Sequence, residues 1–368
     1  MYAVSATDSL VTPALIVFAE QTRDNLDRML EIAGDPQRLR PHCKTHKMPA
    51  LTRWWIERGV RKHKCATFAE AEMLAREGAD DILLAYSIVG ANLDRTVRFR
   101  REYPDVRLTV LVDHPAPLEA LEDRLAAAGA TVDAMLDLET GLARTGVPIG
   151  PDAESLYRRI TECRHVQAAG FHWYDGHLHQ PDRDERRQAV LGGFEAAQAL
   201  RERLTGAGLH VPAIVAGGTG SFPIYADVED SSVELSPGTC VFHDAGYGAQ
   251  FPDLPFTPSA LVLTRVVSRP RADRVTMDLG YKAVASDAPP SQRVVFPAIP
   301  DARIVLQNEE HLVVETAQAE AFSPGDSLLA VPWHICPTCN LHREAVLVEG
   351  GHPVARWEIT AGARRLTI

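Results

Sequence analysis

Arg40-Pro41-His42-Cys43-Lys44-Thr45-His46-Lys47 lies between one helical segment and another, Met48 to Gly59. That is where a βα barrel would end its first strand. A lysine at such a place, among further cations, can have its pKa lowered, and a neutral amine can condense with an aldehyde. A basic surface turn would carry the same letters. What separates the two readings is whether distant segments supply the rest of a site.

Outward from this run, short apolar stretches alternate with amphipathic ones from about Pro13 to Cys240. Expected strands are Ala14 to Phe18, Leu39 to His42, Lys64 to Thr67, Asp81 to Ala85 and Leu108 to Val112. Others are Ala134 to Leu138, Ala168 to His172, Ala213 to Ala216 and Val233 to Leu235. Gly78, Gly129 and Gly208 follow helical stretches, where a residue with positive φ is wanted. Repeated units of this length imply a parallel sheet with helical crossovers. Past about Ala245 the helical patterns give way to β-rich runs separated by turn formers such as Pro324-Gly325 and Gly350-Gly351. The prediction is an α/β chain with a TIM-like (β/α)8 barrel over residues 13–244. A second, mainly antiparallel β domain is predicted over 245–368, joined by residues 1–12.

The bulk properties agree. Of 368 residues, 45% are hydrophobic and 24% charged, enough apolar material for a large barrel and a smaller second domain. A net charge of −11 argues against a nucleic-acid partner, because no basic stripe can displace counterions. No window approaches a membrane span, and Met1 to Phe18 lacks the parts of a signal peptide. Six scattered cysteines fit reduced thiols, so a cytoplasmic protein is expected.

In a barrel the reactive groups belong at the C-terminal ends of strands, and five segments place polar residues there. Lys44 is the first. Arg144, within Gly141-Leu142-Ala143-Arg144-Thr145-Gly146-Val147, could bond the phenolate oxygen of a pyridine cofactor or make a loop ion pair. His172-Trp173-Tyr174-Asp175-Gly176-His177-Leu178-His179 offers Tyr174 to pack near a cofactor and imidazoles to accept a proton near neutral pH. Gly217-Gly218-Thr219-Gly220-Ser221 suits a phosphate, through inward N–H groups and hydroxyl donors. Glu234-Leu235-Ser236-Pro237-Gly238-Thr239 repeats the theme. Gly238 and Thr239 could complete the phosphate cup, and Glu234 or Ser236 could face a pyridine nitrogen. In the second domain, an extended Pro332-Trp333-His334-Ile335-Cys336-Pro337 would send His334 and Cys336 off one face, a good pair for Zn²⁺. A buried thiol beside a surface imidazole would read the same way.

In sequence order these segments, with Pro41 to Lys47, Asp278-Leu279-Gly280-Tyr281-Lys282-Ala283 and His334-Ile335-Cys336-Pro337-Thr338, are specific as a set. The chain resembles the D-threonine aldolase and D-serine dehydratase family, fold-type III pyridoxal phosphate (PLP) enzymes with an alanine-racemase-like barrel. The resemblance implies Lys44 as the Schiff-base lysine, with Arg144 and Tyr174 beside the cofactor. It implies phosphate binding by Gly218, Thr219, Gly220, Ser221, Gly238 and Thr239. It also implies a divalent metal (Zn, Mn or Mg) at His334 and Cys336 near the substrate's β-hydroxyl, a D-amino acid substrate, and a homodimer. His177 and His179 are the candidate bases for the hydroxyl proton.

The stretch Ile82 to Gly90 and the Cys336-Pro337-Thr338-Cys339-Asn340-Leu341 context look like aldolase-type members, whereas Cys336 as a metal ligand is similar to the dehydratase branch. The expected activity is metal-assisted D-threonine aldolase cleavage to glycine and an aldehyde. D-serine or D-threo-3-hydroxyaspartate dehydration is the alternative. A racemase, with Tyr281 as second base, is a weaker one.

Overall fold

The computed structural model describes residues 2–368 and forms two compact units. One comprises residues 30–44, 51–238 and 364–368. The other takes the chain up to Met29, residues 45–50 and residues 239–363. This division differs from the expected 13–244 and 245–368. The first strand, β1 (Ala14–Phe18), was expected to open the barrel but belongs to the β-rich unit. Four of its five residues are buried, as suits a strand paired on both edges.

The barrel unit is a ladder of seven parallel strands in chain order. They are β2 (Lys62–Cys65), β3 (Asp81–Ser87), β4 (Arg107–Val112), β5 (Val132–Asp137), β6 (Val166–Trp173), β7 (Ile214–Ala216) and β8 (Val233–Leu235). Residues 39–42 close the gap, with Leu39 bridging to Leu235 and His42 to Lys64, both parallel. Arg40 N and His42 N donate to the carbonyls of Leu235 and Pro237, each at 2.8 Å, while Lys64 N donates to Pro41 O at 3.0 Å. Pro41 has no N–H to return to β2, so this stretch is a pair of bridges and not a full strand.

Inward-facing Leu83, Leu111, Met135, Ala169 and Val215 fill the centre, so the barrel is packed and not a pore. Each of the larger side chains contributes roughly 1.5–3 kcal/mol by burial. Helices cover the outside, and Gly78, Gly129 and Gly208 follow three of them with φ of +90°, +62° and +82°.

In the other unit, β9 (Ala260–Arg271) and the strand Glu344–Glu349 flank β1, antiparallel and parallel respectively. Neighbouring pairs elsewhere in this nine-stranded sheet are antiparallel. Its apolar core gathers Ile16, Phe18, Leu261, Leu263, Val331, Val346 and Val348. Among the described residues no helix is long and apolar enough to cross a membrane.

Candidate active site

The C-terminal ends of the barrel strands surround a cavity of about 360 Å³, within the range of small-molecule sites. Lys44, Lys64, Asp137, Arg144, His172 and Tyr174 all line it. The Tyr174 ring is the centre of the arrangement. Arg144 Cζ lies 5.1 Å, Lys64 Nζ 5.5 Å and Lys44 Nζ 5.7 Å from its centroid, all within cation–π range.

Glycines make room for this ring. A Cβ on Gly176 would lie 2.2 Å from the Tyr174 hydroxyl, and one on Gly218 would lie 3.1 Å from the ring edge. Asp175 then ties the Tyr174 loop to the glycine-rich turn. It accepts from Ser221 Oγ at 2.6 Å and from Tyr225 Oη at 2.8 Å. Arg144 is held by its own turn, in which Glu139 Oε1 accepts from the Gly141 and Ala143 amides at 2.7 and 2.8 Å.

Three lining residues were given no role of their own in the sequence reading. Lys64 is buried, and that burial, with the nearby Lys44 cation, pushes its pKa down to about 7. His172 Nδ1 meets Asp137 Oδ1 at 2.6 Å in a buried pair. Burial and then Lys64 lower the His172 pKa. Burial alone would raise that of Asp137, but His172 holds it below the usual range. His172 Nε2 is buried with no hydrogen-bond partner. The available signal was position, since all three sit at or one residue before a strand's C-terminal end.

Several expected roles are corrected. Glu234 does not face a cofactor nitrogen, because its carboxylate accepts from Arg40 Nε and Lys62 Nζ, each at 2.6 Å. Arg40 also reaches Asp81 at 2.7 Å, and Lys62 and Asp81 begin their strands, so this cluster lies at the barrel's N-terminal end. Ser236, the other candidate, has a buried hydroxyl without a partner. The Ser221 hydroxyl gives its proton to Asp175 and has none left for a phosphate, which leaves backbone N–H groups of the Gly218-Thr219-Gly220 turn as donors. Thr239 turns its hydroxyl to Cys336 Sγ, at 3.3 Å.

His177 packs its Nε2 3.0 Å from where a Gly141 Cβ would stand, and its Nδ1 is buried without a partner. His179 is exposed, and neither histidine lines the cavity.

In the β-rich unit His334 and Cys336 do come together, but not from an extended segment. His334 is the N-cap residue of the helix Ile335–Leu341, and Cys336 lies in its first turn, where Pro337 is tolerated. Mutual hydrogen bonding raises the imidazole to about 9 against burial and lowers the thiol against burial. Thr45 Oγ1 also meets Cys336 Sγ, at 3.2 Å. Asp287 Oδ2 accepts from His334 Nδ1 at 2.5 Å, so Nε2 is the nitrogen left for Cys336 or for a metal, and the outer carboxylate is typical of metal-bound histidine. Among the described residues no group of three His, Cys, Asp or Glu converges, so a metal here would have two protein donors. Tyr281, the possible second base, is 39% exposed.

A racemase-like barrel with a lysine at its mouth, followed by a β-rich unit, defines a class of amino-acid enzymes. The alanine racemase N-terminal domain family matches residues 18–245, and the family described as putative serine dehydratase domain matches residues 259–348. A D-threonine aldolase from Arthrobacter sp is 32% identical over 366 residues, covering 95% of this chain and 92% of that one. The crystal structure of D-threonine aldolase from Filomicrobium marinum superposes with a TM-score of 0.90 at 28% identity, over 99% and 98% of the two chains. A D-threo-3-hydroxyaspartate dehydratase from Delftia sp. (strain HT23) is 29% identical over 245 residues, 64% of this chain and 62% of that one. The chain belongs to the D-threonine aldolase family of alanine-racemase-like, PLP-dependent lyases.

Proposed function

We propose that this protein is a D-threonine aldolase, cleaving D-β-hydroxy-α-amino acids to glycine and an aldehyde with PLP and a divalent metal. The observation that carries the reading is the convergence of Lys44, Lys64 and Arg144 on the Tyr174 ring, in a chain related throughout to a D-threonine aldolase. The site fits the cofactor, because it offers an amine, cations for its anionic groups, and a buried His172 Nε2 without a hydrogen-bond partner. When bound, PLP supplies an electron sink for the pair released at Cα.

Lys44 would hold the cofactor's aldehyde carbon, and Arg144 would serve its phenolate oxygen. The Gly218-Thr219-Gly220 backbone, with Gly238, serves the phosphate. Ser236 replaces Glu234 as the partner of the ring nitrogen. His177, half-buried with an open Nδ1, is favoured over the exposed His179 for taking the hydroxyl proton. His334 Nε2 and the Cys336 thiolate would hold the metal, a donor pair that favours Zn²⁺, and the metal's Lewis acidity would polarise the β-oxygen.

That same thiolate favours the second reading, β-elimination to a 2-oxo acid and ammonia. We further propose a homodimer in the cytoplasm, where six free thiols suit a reducing compartment. Incubation with D-threonine and D-serine tests the activity. Glycine with acetaldehyde is the expected outcome, whereas 2-oxo acid with ammonia would replace aldolase by dehydratase.

A further inference from the structure

Among the described residues, the lysines and arginines that line the cavity at the barrel mouth are Lys44, Lys64 and Arg144. All three belong to the barrel unit. With Lys44 given to the cofactor's aldehyde carbon and Arg144 to its phenolate oxygen, Lys64 is left without a task. It stands one residue before the end of β2 and is 3% exposed. Its Nζ lies 5.5 Å from the Tyr174 centroid, the ring that Lys44 Nζ approaches to 5.7 Å. Asp137 draws on Lys64 electrostatically, but that carboxylate already has His172 Nδ1 at 2.6 Å and a hydrogen bond from Thr145. Burial, and then Lys44, therefore push the Lys64 pKa down to about 7. Ala66, two residues on, and Ala85, on the adjoining β3, also line the cavity, and each puts only a methyl group into it.

From this we infer that Lys64 binds the α-carboxylate of the substrate and so makes the site select amino acids over simple amines. The inference rests on the PLP-dependent aldolase reading, which defines what enters the cavity. The substrate nitrogen takes the place of Lys44 Nζ on the cofactor, and the carboxylate carbon is two bonds from that nitrogen. The carboxylate therefore has to be met close to Lys44, where Lys64 is the uncommitted cation. An entering anion also favours the protonated amine, so the ligand completes the charge that binds it. A buried ammonium without a carboxylate partner gains one.

Visible absorption of the holoenzyme reads binding without turnover. Glycine and methylamine are the probes, since they differ by one carboxylate. Lys64→Met should weaken glycine binding about 10–100-fold and leave methylamine unchanged, while Lys64→Arg should recover part of the loss. With D-threonine, KM of Lys64→Met should rise by a similar factor with little change in kcat. The substitution removes a buried charge, so the variant should fold at least as well as the parent, and a loss confined to glycine is not unfolding. Loss of the PLP band in Lys64→Met, equal weakening of both probes, or unchanged glycine affinity would each overturn the inference. Failure of the parent enzyme to cleave any D-β-hydroxy amino acid would instead defeat the aldolase reading, and the glycine–methylamine comparison would still judge Lys64.

Discussion

Lys64 shows how a single residue's charge couples stability to pH. Its proton is held less tightly in the folded chain, about 7 against an ordinary 10.5. Below pH 7 both folded and unfolded chains are protonated and the burial penalty is fully felt. Between about 7 and 10.5 the unfolded chain holds more protons, so stability rises with pH. The span corresponds to at most about 5 kcal/mol. Lys64→Met should therefore raise the Tm of the cofactor-free protein at pH 6–7 and flatten the rise above pH 7. A Tm that follows the parent's pH curve would contradict it. At the mouth itself, Lys44→Ala should abolish the visible absorption of bound PLP, and a retained band would mean another amine holds it. That Lys44, Arg144 and Tyr174 line one cavity was legible because polar groups at strand ends gather at the barrel mouth. Glu234, Ser221 and Thr239 were misjudged because their partners, Arg40 with Lys62, Asp175 and Cys336, come from distant segments that spacing does not reveal.

Strand β6 illustrates the element scale. Its pairing with β5 shifts register between Ala134 and Met135, where Gly170 has φ of +112°. A Cβ there would lie 1.9 Å from Ala213 O. Gly170 thus lets β6 approach β7 and brings His172 and Trp173 to the mouth. Gly170→Ala should cost about 3 kcal/mol or more by backbone strain and overpacking, read as a lower urea midpoint. Gly192→Ala, in the helix Arg183–Gly206 with open space around it, should instead gain roughly 0.5–1 kcal/mol. The other barrel strands and the glycine-terminated helices were legible from apolar period and turn chemistry. The start of the helix Ile335–Leu341 was not, since His-Ile-Cys-Pro carries neither a strong capping side chain nor a long apolar repeat. Nor did sequence show that β1 leaves the barrel, because a buried strand looks alike in either sheet.

For the whole molecule, the family order of segments was readable, while the division into units was not, because the chain crosses between them more than once. Three predictions belong here. A chelator should abolish turnover and leave the PLP band, with Zn²⁺ restoring activity, whereas full turnover after metal removal would take His334 and Cys336 out of the mechanism. Asp287→Asn should weaken metal binding roughly 10–100-fold by equilibrium titration, since it removes the partner of His334 Nδ1. Sedimentation should give about twice the 40.3 kDa chain mass, and a monomer would refute the dimer.

The stretch that bridges β8 to β2 runs directly into Lys44, two residues past His42. If Lys44 holds the coenzyme as proposed, closing this seam of the barrel and placing that amine are one structural event. A nascent or partly melted chain with that seam still open has no fixed post for vitamin B6, so capture of the coenzyme would report completed folding.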